Sequence, residues 1–182
     1  MKFTSTPISG AFVIEPEPRS DSRGAFMRTF CEREFEKIGL ATAYVQTNVS
    51  RTLRKGTIRG MHFQRGAAAE DKLVRVCRGR VIDVIIDLRE SSPSFSNYFS
   101  VELAEDNFRE LYVPRGCAHG FLTLQDDCEV IYQVSNFYSP EDEAGVRWDD
   151  PFFKIHWPLQ GKPILSDKDA THPDFSPSRT LK

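Results

Sequence analysis

Apolar residues recur along this chain in short runs, and the spacing within them is that of strands rather than helices. GAFMRTF, YVQTNVS, KLVRVC, RVIDVIIDL, NYFSVEL, ELYVP, GFLTL and EVIYQVSNFY are each brief, rich in Val, Ile, Phe and Tyr, and separated by turn residues. Only CEREFEKIGL, with Phe35 and Ile38 apolar and Gly39 closing it, reads as a helix, and EDNFRE adds one turn at most. Many short strands with little helix predict an all-β sandwich or barrel, of which a jelly roll is one solution to the problem of exposed sheet edges. RVCRGRVIDV reads as a hairpin turning at Arg78 and Gly79. The segment from Lys162 to Lys182 is polar and proline-bearing and is expected to lie over the surface. No repeat or linker divides the chain, so residues 1–182 are read as one domain.

Composition narrows the functional classes. At 40% apolar with 14 Phe, the chain has material for a sizeable core. Its 24 basic and 26 acidic side chains leave a net charge of -2, which supplies no field for a polyanion, so nucleic acid is not an expected partner. The opening MKFTSTPISGAF lacks the apolar core of a signal peptide, and no run approaches the ~18 apolar residues of a membrane span. A soluble, cytoplasmic protein is expected. Cys31, Cys77, Cys117 and Cys128 lie far apart with no CxxC pair, which predicts reduced structural cysteines rather than zinc ligands.

The polar residues inside the strands call for a different explanation. Arg59 and His62 in GTIRGMHFQ, Lys72 in KLVRV, His119 in PRGCAHGF and Tyr132 in EVIYQV all sit in apolar settings. Burying so many polar heads without mutual partners would be costly, so a shared polar pocket is the economical reading. Strand parity puts Lys72 on one face with Val74 and Val76, and Tyr132 with Val130 and Val134. Arg59 and His62, three residues apart, reach one side together only if a bulge or bend occurs at Gly60. Metal-binding cupin barrels carry two histidines one residue apart, then a carboxylate and a later histidine. Here HFQ replaces the pair, so metal-free chemistry is expected.

Eight ordered segments carry a family resemblance: DSRGAFMRTF, QTNVS, IRGMHFQ, KLVRVCRGRVIDVIIDLRESSPSF, VPRGCAHGF, EVIYQVSNFYSPEDE, RWDDPFFKIHWP and LSDKDA. In this order they resemble the dTDP-4-dehydrorhamnose 3,5-epimerase family from about Gly10 to Asp169. The resemblance implies a cupin-type jelly-roll sandwich and a homodimer whose N-terminal strands reach into the neighbour. It also implies a nucleotide-linked 4-keto-6-deoxyhexose as substrate and no cofactor. By their places in the motifs, His62 resembles the catalytic base, Asp169 the carboxylate paired with it, and Tyr132 the acid on the opposite face. Lys72 resembles the cation that steadies the enolate oxygen, with His119 close by. Arg23 and Arg59 resemble diphosphate ligands, Gln46 and Asn48 the amide pair of the QxN motif, and Tyr138 the aromatic that stacks on the base. Glu143 and Lys168 resemble further substrate contacts.

Three departures from the family pattern stand out. Arg28 stands where the family commonly carries a glutamate near the thymine edge, QTNVS replaces QDNHS, and Gln133 replaces the lysine after the catalytic tyrosine. These leave the catalytic set intact but open the identity of the base and the number of inverted centres. A single-centre epimerase acting on a CDP-linked sugar is the alternative, with a non-catalytic sugar-nucleotide-binding module and a metal-dependent oxygenase as readings from other classes.

Overall fold

The computed structural model describes residues 1–177. Alternation of apolar and polar positions produces two antiparallel sheets facing each other. The first holds β1 (Lys2–Ser5), β2 (Phe12–Glu15), β5 (Gln46–Thr52), β7 (Lys72–Arg78), β10 (Glu110–Val113) and β12 (Cys128–Val134), in the order β1-β2-β10-β7-β12-β5. The second holds β6 (Ile58–Gln64), β8 (Arg80–Asp87), β9 (Tyr98–Ala104), β11 (Cys117–Thr123) and β13 (Glu143–Gly145), in the order β13-β6-β11-β8-β9. A small hairpin of β3 (Arg19–Asp21) and β4 (Gly24–Phe26) stands outside both, so only the first part of GAFMRTF is a strand. This is the all-β sandwich that the short apolar period predicts, of the cupin type that the family resemblance implies.

Three apolar clusters hold it. Val74, Val76, Leu111, Val113 and Val130 of the first sheet meet Val81, Ile85, Leu103 and Phe121 of the second to form the inner layer. Behind the second sheet, Ile58, Met61, Phe63, Val84, Ile86 and Leu122 pack on Val146, Phe153, Trp157 and Phe175 from the later chain. This sheet is therefore covered on both faces, and all seven residues of β11 are buried. Outside the first sheet, the single turn-and-a-half of α1 (Glu32–Glu36) lays Phe35 against Ile14, Leu73 and Tyr112. Gly39, at φ 75°, ends that helical stretch, and Ile38 points out at 39% exposure rather than into the core.

The expected hairpin is corrected. β7 and β8 do not form a hairpin: they belong to different sheets, and Gly79, at φ 78°, carries the chain across the sandwich. A Cβ at Gly79 would fall 2.7 Å from Cys128 Sγ, so the crossing uses the space that only glycine leaves. EDNFRE adds a single turn that is not continued: the Phe108 N–H reaches the Ala104 carbonyl at 3.3 Å, and the Asn107 side chain accepts from the backbone N–H groups of Ala104 and Arg109. The final segment does cross the barrel, but it is not merely superficial. Ile164 bridges Thr57, α2 (Asp167–Ala170) buries Asp169, and Phe175 enters the rear cluster; residues 178–182 lie outside the described residues.

On the outer face of the first sheet, Glu110 is 1% exposed and its Oε2 has no hydrogen-bond partner. Burial pushes its pKa up to about 8, against the pull of Arg75. The folded protein thus keeps a proton that the unfolded chain releases above ~4.3, and stability falls as pH rises from there to about 8. Glu110→Gln removes this dependence. Thermal unfolding is expected to match wild type near pH 4 and to show a gain of roughly 4 to 5 kcal/mol near pH 8; equal midpoints at pH 8 would mean that the carboxyl is not held neutral.

Candidate active site

At β6 the chain meets the requirement set by its sequence. Ile58, Met61 and Phe63 all face the rear cluster, although 58 and 61 are three apart. The ladder to β11 shifts by one residue, pairing His119 with His62 but Phe121 with Arg59. The bulge centres on Gly60, at φ 122°, where the Gly60–Met61 peptide is cis and a Cβ would lie 2.5 Å from Gly120 Cα. Arg59 and His62 are thereby both turned into the space between the sheets, where they line one cavity.

That cavity, of about 450 Å³, is also lined by Lys72, His119, Tyr132, Lys168 and Asp169. A second, of about 310 Å³, is lined by Gln46, Asn48, Tyr138 and Glu143, and it meets the first at His62, Lys72 and Tyr132. The predicted residues fall on opposed walls: Lys72 and Tyr132 stand on the first sheet, His62 and His119 on the second.

Each side chain has a partner that fixes it. His62 Nε2 lies 2.6 Å from Asp169 Oδ1, while Asp169 Oδ2 accepts from the Gly60 N–H at 3.3 Å. Ser166 caps α2 by accepting from the Asp169 N–H, which places this carboxylate beneath the histidine. Burial works against the charge on Asp169, but the hydrogen bonds from His62 and Gly60 outweigh it and hold its pKa below the usual range. His119 Nε2 sits 2.9 and 3.0 Å from the two oxygens of Asp83, itself fully buried. Lys72 Nζ pairs with Glu70 at 3.2 Å, and both side chains are about nine-tenths buried. Burial, reinforced by the charge of Glu70, raises the Tyr132 phenol above its ordinary pKa, so it is a proton donor at neutral pH.

At the mouth, Tyr138 is 56% exposed, donates its hydroxyl to Glu143 at 2.8 Å, and has its backbone N–H held by Gln46. Glu143 in turn pairs with Lys168. Among the described residues, Arg59 donates only to neutral oxygens, Thr52 Oγ1 and the Arg51 carbonyl, so its charge is available to an anion.

Arg23 and Arg28 are not brought to this cavity within the chain. Arg23 is clamped on Asp21 at 2.6 Å in the exposed β3–β4 hairpin, and Arg28 lies 3.6 Å from Glu34. The reason is topological: the chain between β2 and α1 runs along the outer side of the first sheet, where Thr29 and Phe30 meet Arg75 and Glu110. Three residues that sequence reasoning passed over accompany the site: Glu70, Asp83 and His172. An acid between Ile82 and Val84 on a buried strand was the available signal for Asp83. His172, in the polar tail, carried none, yet it is largely buried with its Nε2 4.0 Å from Asp169 Oδ1.

Two paired imidazoles, a buried lysine and a protonated phenol around one cavity in a β-sandwich define a jelly-roll protein equipped for acid–base chemistry. Comparison with known proteins narrows this. The family model of dTDP-4-dehydrorhamnose 3,5-epimerase matches residues 5–177. The epimerase of that name from Methanothermobacter thermautotrophicus is 45% identical over 170 residues, 92% of this chain and 91% of the relative. The crystal structure of the Elizabethkingia anophelis epimerase superposes with a TM-score of 0.94 at 39% identity, covering 99% of this chain and 98% of that one. The Bacillus anthracis epimerase, with TDP and PPi bound, gives 0.92 at 41%, covering 96% and 99%. The chain belongs to the dTDP-4-dehydrorhamnose 3,5-epimerase family.

Proposed function

We propose that this chain inverts carbons 3 and 5 of a thymidine-diphosphate-linked 4-keto-6-deoxyhexose. The observation that carries this reading is the opposition of His62 and Tyr132 across the cavity, because inversion requires a proton to leave one face of a carbon and return to the other. Protons next to a ketone are acidic enough for a neutral imidazole to remove. With Nε2–H donated to Asp169, Nδ1 is the nitrogen left to take the proton. The C–H pair moves into an enolate whose oxygen is steadied by Lys72 and His119. Tyr132 then protonates the far face, and its phenolate recovers a proton from solvent while His62 releases one. The two centres undergo the same sequence in turn.

Arg59 suits the diphosphate, Tyr138 a stacked thymine, and Gln46, Asn48, Glu143 and Lys168 the remaining polar contacts. The TDP-bound relative supports a thymidine nucleotide in this region. Arg23 and Arg28 gain a role in a homodimer whose N-terminal hairpin reaches the neighbour's cavity. The exposed hairpin, with Phe26 at 74% exposure, supports such an exchange. Four free cysteines suit a reducing cytoplasm, and among the described residues no helix is long and apolar enough to cross a membrane. The test is turnover of the dTDP-linked 4-keto sugar in D₂O, followed by NMR and mass spectrometry. Deuterium at both carbon 3 and carbon 5 is expected; label at one carbon alone, or at neither, would overturn the two-centre reading.

A further inference from the structure

We propose that His62, Asp169 and His172 form a binding site for a divalent transition-metal ion such as Zn²⁺, and that an ion held there switches the epimerase off reversibly. The site itself rests on geometry; the inhibition rests on the reading of His62 as the base. One ligand atom from each residue lies within 4.8 Å of the other two, and two imidazole nitrogens with one carboxylate oxygen are a donor set suited to Zn²⁺, Ni²⁺ and Cu²⁺. Zinc holds such donors at about 2.0–2.2 Å, which places neighbouring ligands roughly 3–3.5 Å apart. The 2.6 Å between His62 Nε2 and Asp169 Oδ1 must therefore open, and the 4.0 Å between His172 Nε2 and Asp169 Oδ1 must close, each by less than ~1 Å.

His172 is held where an ion would need it. β13 pairs with β6 so that Gly145 lies opposite His62, and the His172 ring rests on the space that Gly145 leaves. A Cβ there would sit 2.2 Å from His172 Nε2. The two histidine rings are 6.1 Å apart, edge to face. His172 Nε2 is buried without a hydrogen-bond partner, an arrangement that costs free energy unless something satisfies it. Asp169 and His62 both line the substrate cavity, which gives an ion its route in.

The consequence for catalysis follows from which nitrogen is used. An ion on His62 Nε2 requires the other tautomer of the neutral ring: the proton shared with Asp169 leaves Nε2 to solvent and, with no net change in protons, one from solvent is taken up on Nδ1. That is the nitrogen assigned to accept the substrate's proton, so the base is disabled while the cavity stays open. Zn²⁺ should therefore lower kcat and leave nucleotide affinity near its zinc-free value.

The experiment uses protein without a polyhistidine tag. Wild type, His172→Ala and His172→Phe, the last retaining a ring over Gly145, are assayed against Zn²⁺ and titrated with Co²⁺ as a spectroscopic probe. Wild type is expected to lose turnover with Zn²⁺, recover it with EDTA, and develop visible Co²⁺ bands. Both variants should turn over without zinc and need at least ~10- to 100-fold more of it for the same loss, since even an outer partner's removal costs that much. Variants as zinc-sensitive as wild type, or no Co²⁺ bands from wild type, would overturn the site. His172-dependent metal binding that leaves turnover intact would uphold the site and remove His62 from the role of base.

Discussion

His62→Ala is expected to abolish deuterium exchange next to the ketone while leaving binding of the thymidine nucleotide nearly unchanged. The imidazole acts on the barrier, and the loss of a positioned general base costs ~10²–10⁴-fold in rate. His62→Asn should behave alike, because its amide stops short of the Nε2 position that meets Asp169 and cannot take a proton at neutral pH. Both changes remove a partner from a buried carboxylate whose charge is held by that hydrogen bond. Unfolding midpoints must therefore accompany the rates, so that a loss of fold is not read as a loss of chemistry. Nucleotide binding with undiminished exchange in either variant would move the base to another residue, and His119 with its Asp83 partner would be the first to examine.

Tyr132→Phe is expected to separate the two halves of the reaction. It keeps the ring that packs against the inner cluster and deletes only the hydroxyl. Proton removal by His62 continues, but the proton returns from the face it left, so deuterium washes in with the original configuration. Inversion should fall by ~10²–10⁴-fold, the worth of a general acid, while exchange persists. A normal yield of inverted product from Tyr132→Phe would rule out this role for the phenol. The raised pKa of Tyr132 gives the assignment its direction, since a phenol held protonated by burial has a proton to give at neutral pH.

The sheets were legible because alternation fixes which face each residue takes. Lys72 with Val74, and Tyr132 with Val130, needed only a period of two to be placed on the inner wall. Gly60 was legible as a bulge for a related reason: without one, Arg59 and His62 could not share a side. Connections were harder to read. Gly79 looks the same in sequence whether it closes a hairpin or crosses a sandwich, and only the packing of β7 and β8 against different neighbours distinguishes the two. Asp169 came from the motif resemblance alone, since a carboxylate in a polar tail has no periodicity to place it. Arg23 and Arg28 lie away from the cavity within the single chain, because a motif records a residue's presence without recording which side of the sheet its loop follows.

The opposed placement of His62 and Tyr132 also gives the hydrophobic core a second duty. The separation between His62 and Tyr132 is the distance between two sheets, and side chains such as Val74 and Ile85 act as its spacers. Val74 lies beside Tyr132 in the ladder, and Ile85 beside His119. Volume-conserving exchanges in a core usually cost under ~1.5 kcal/mol of stability, whereas a shift of about 1 Å in a reacting group can cost ~10²-fold in rate. Turnover therefore imposes a narrower tolerance on these buried aliphatic residues than folding does.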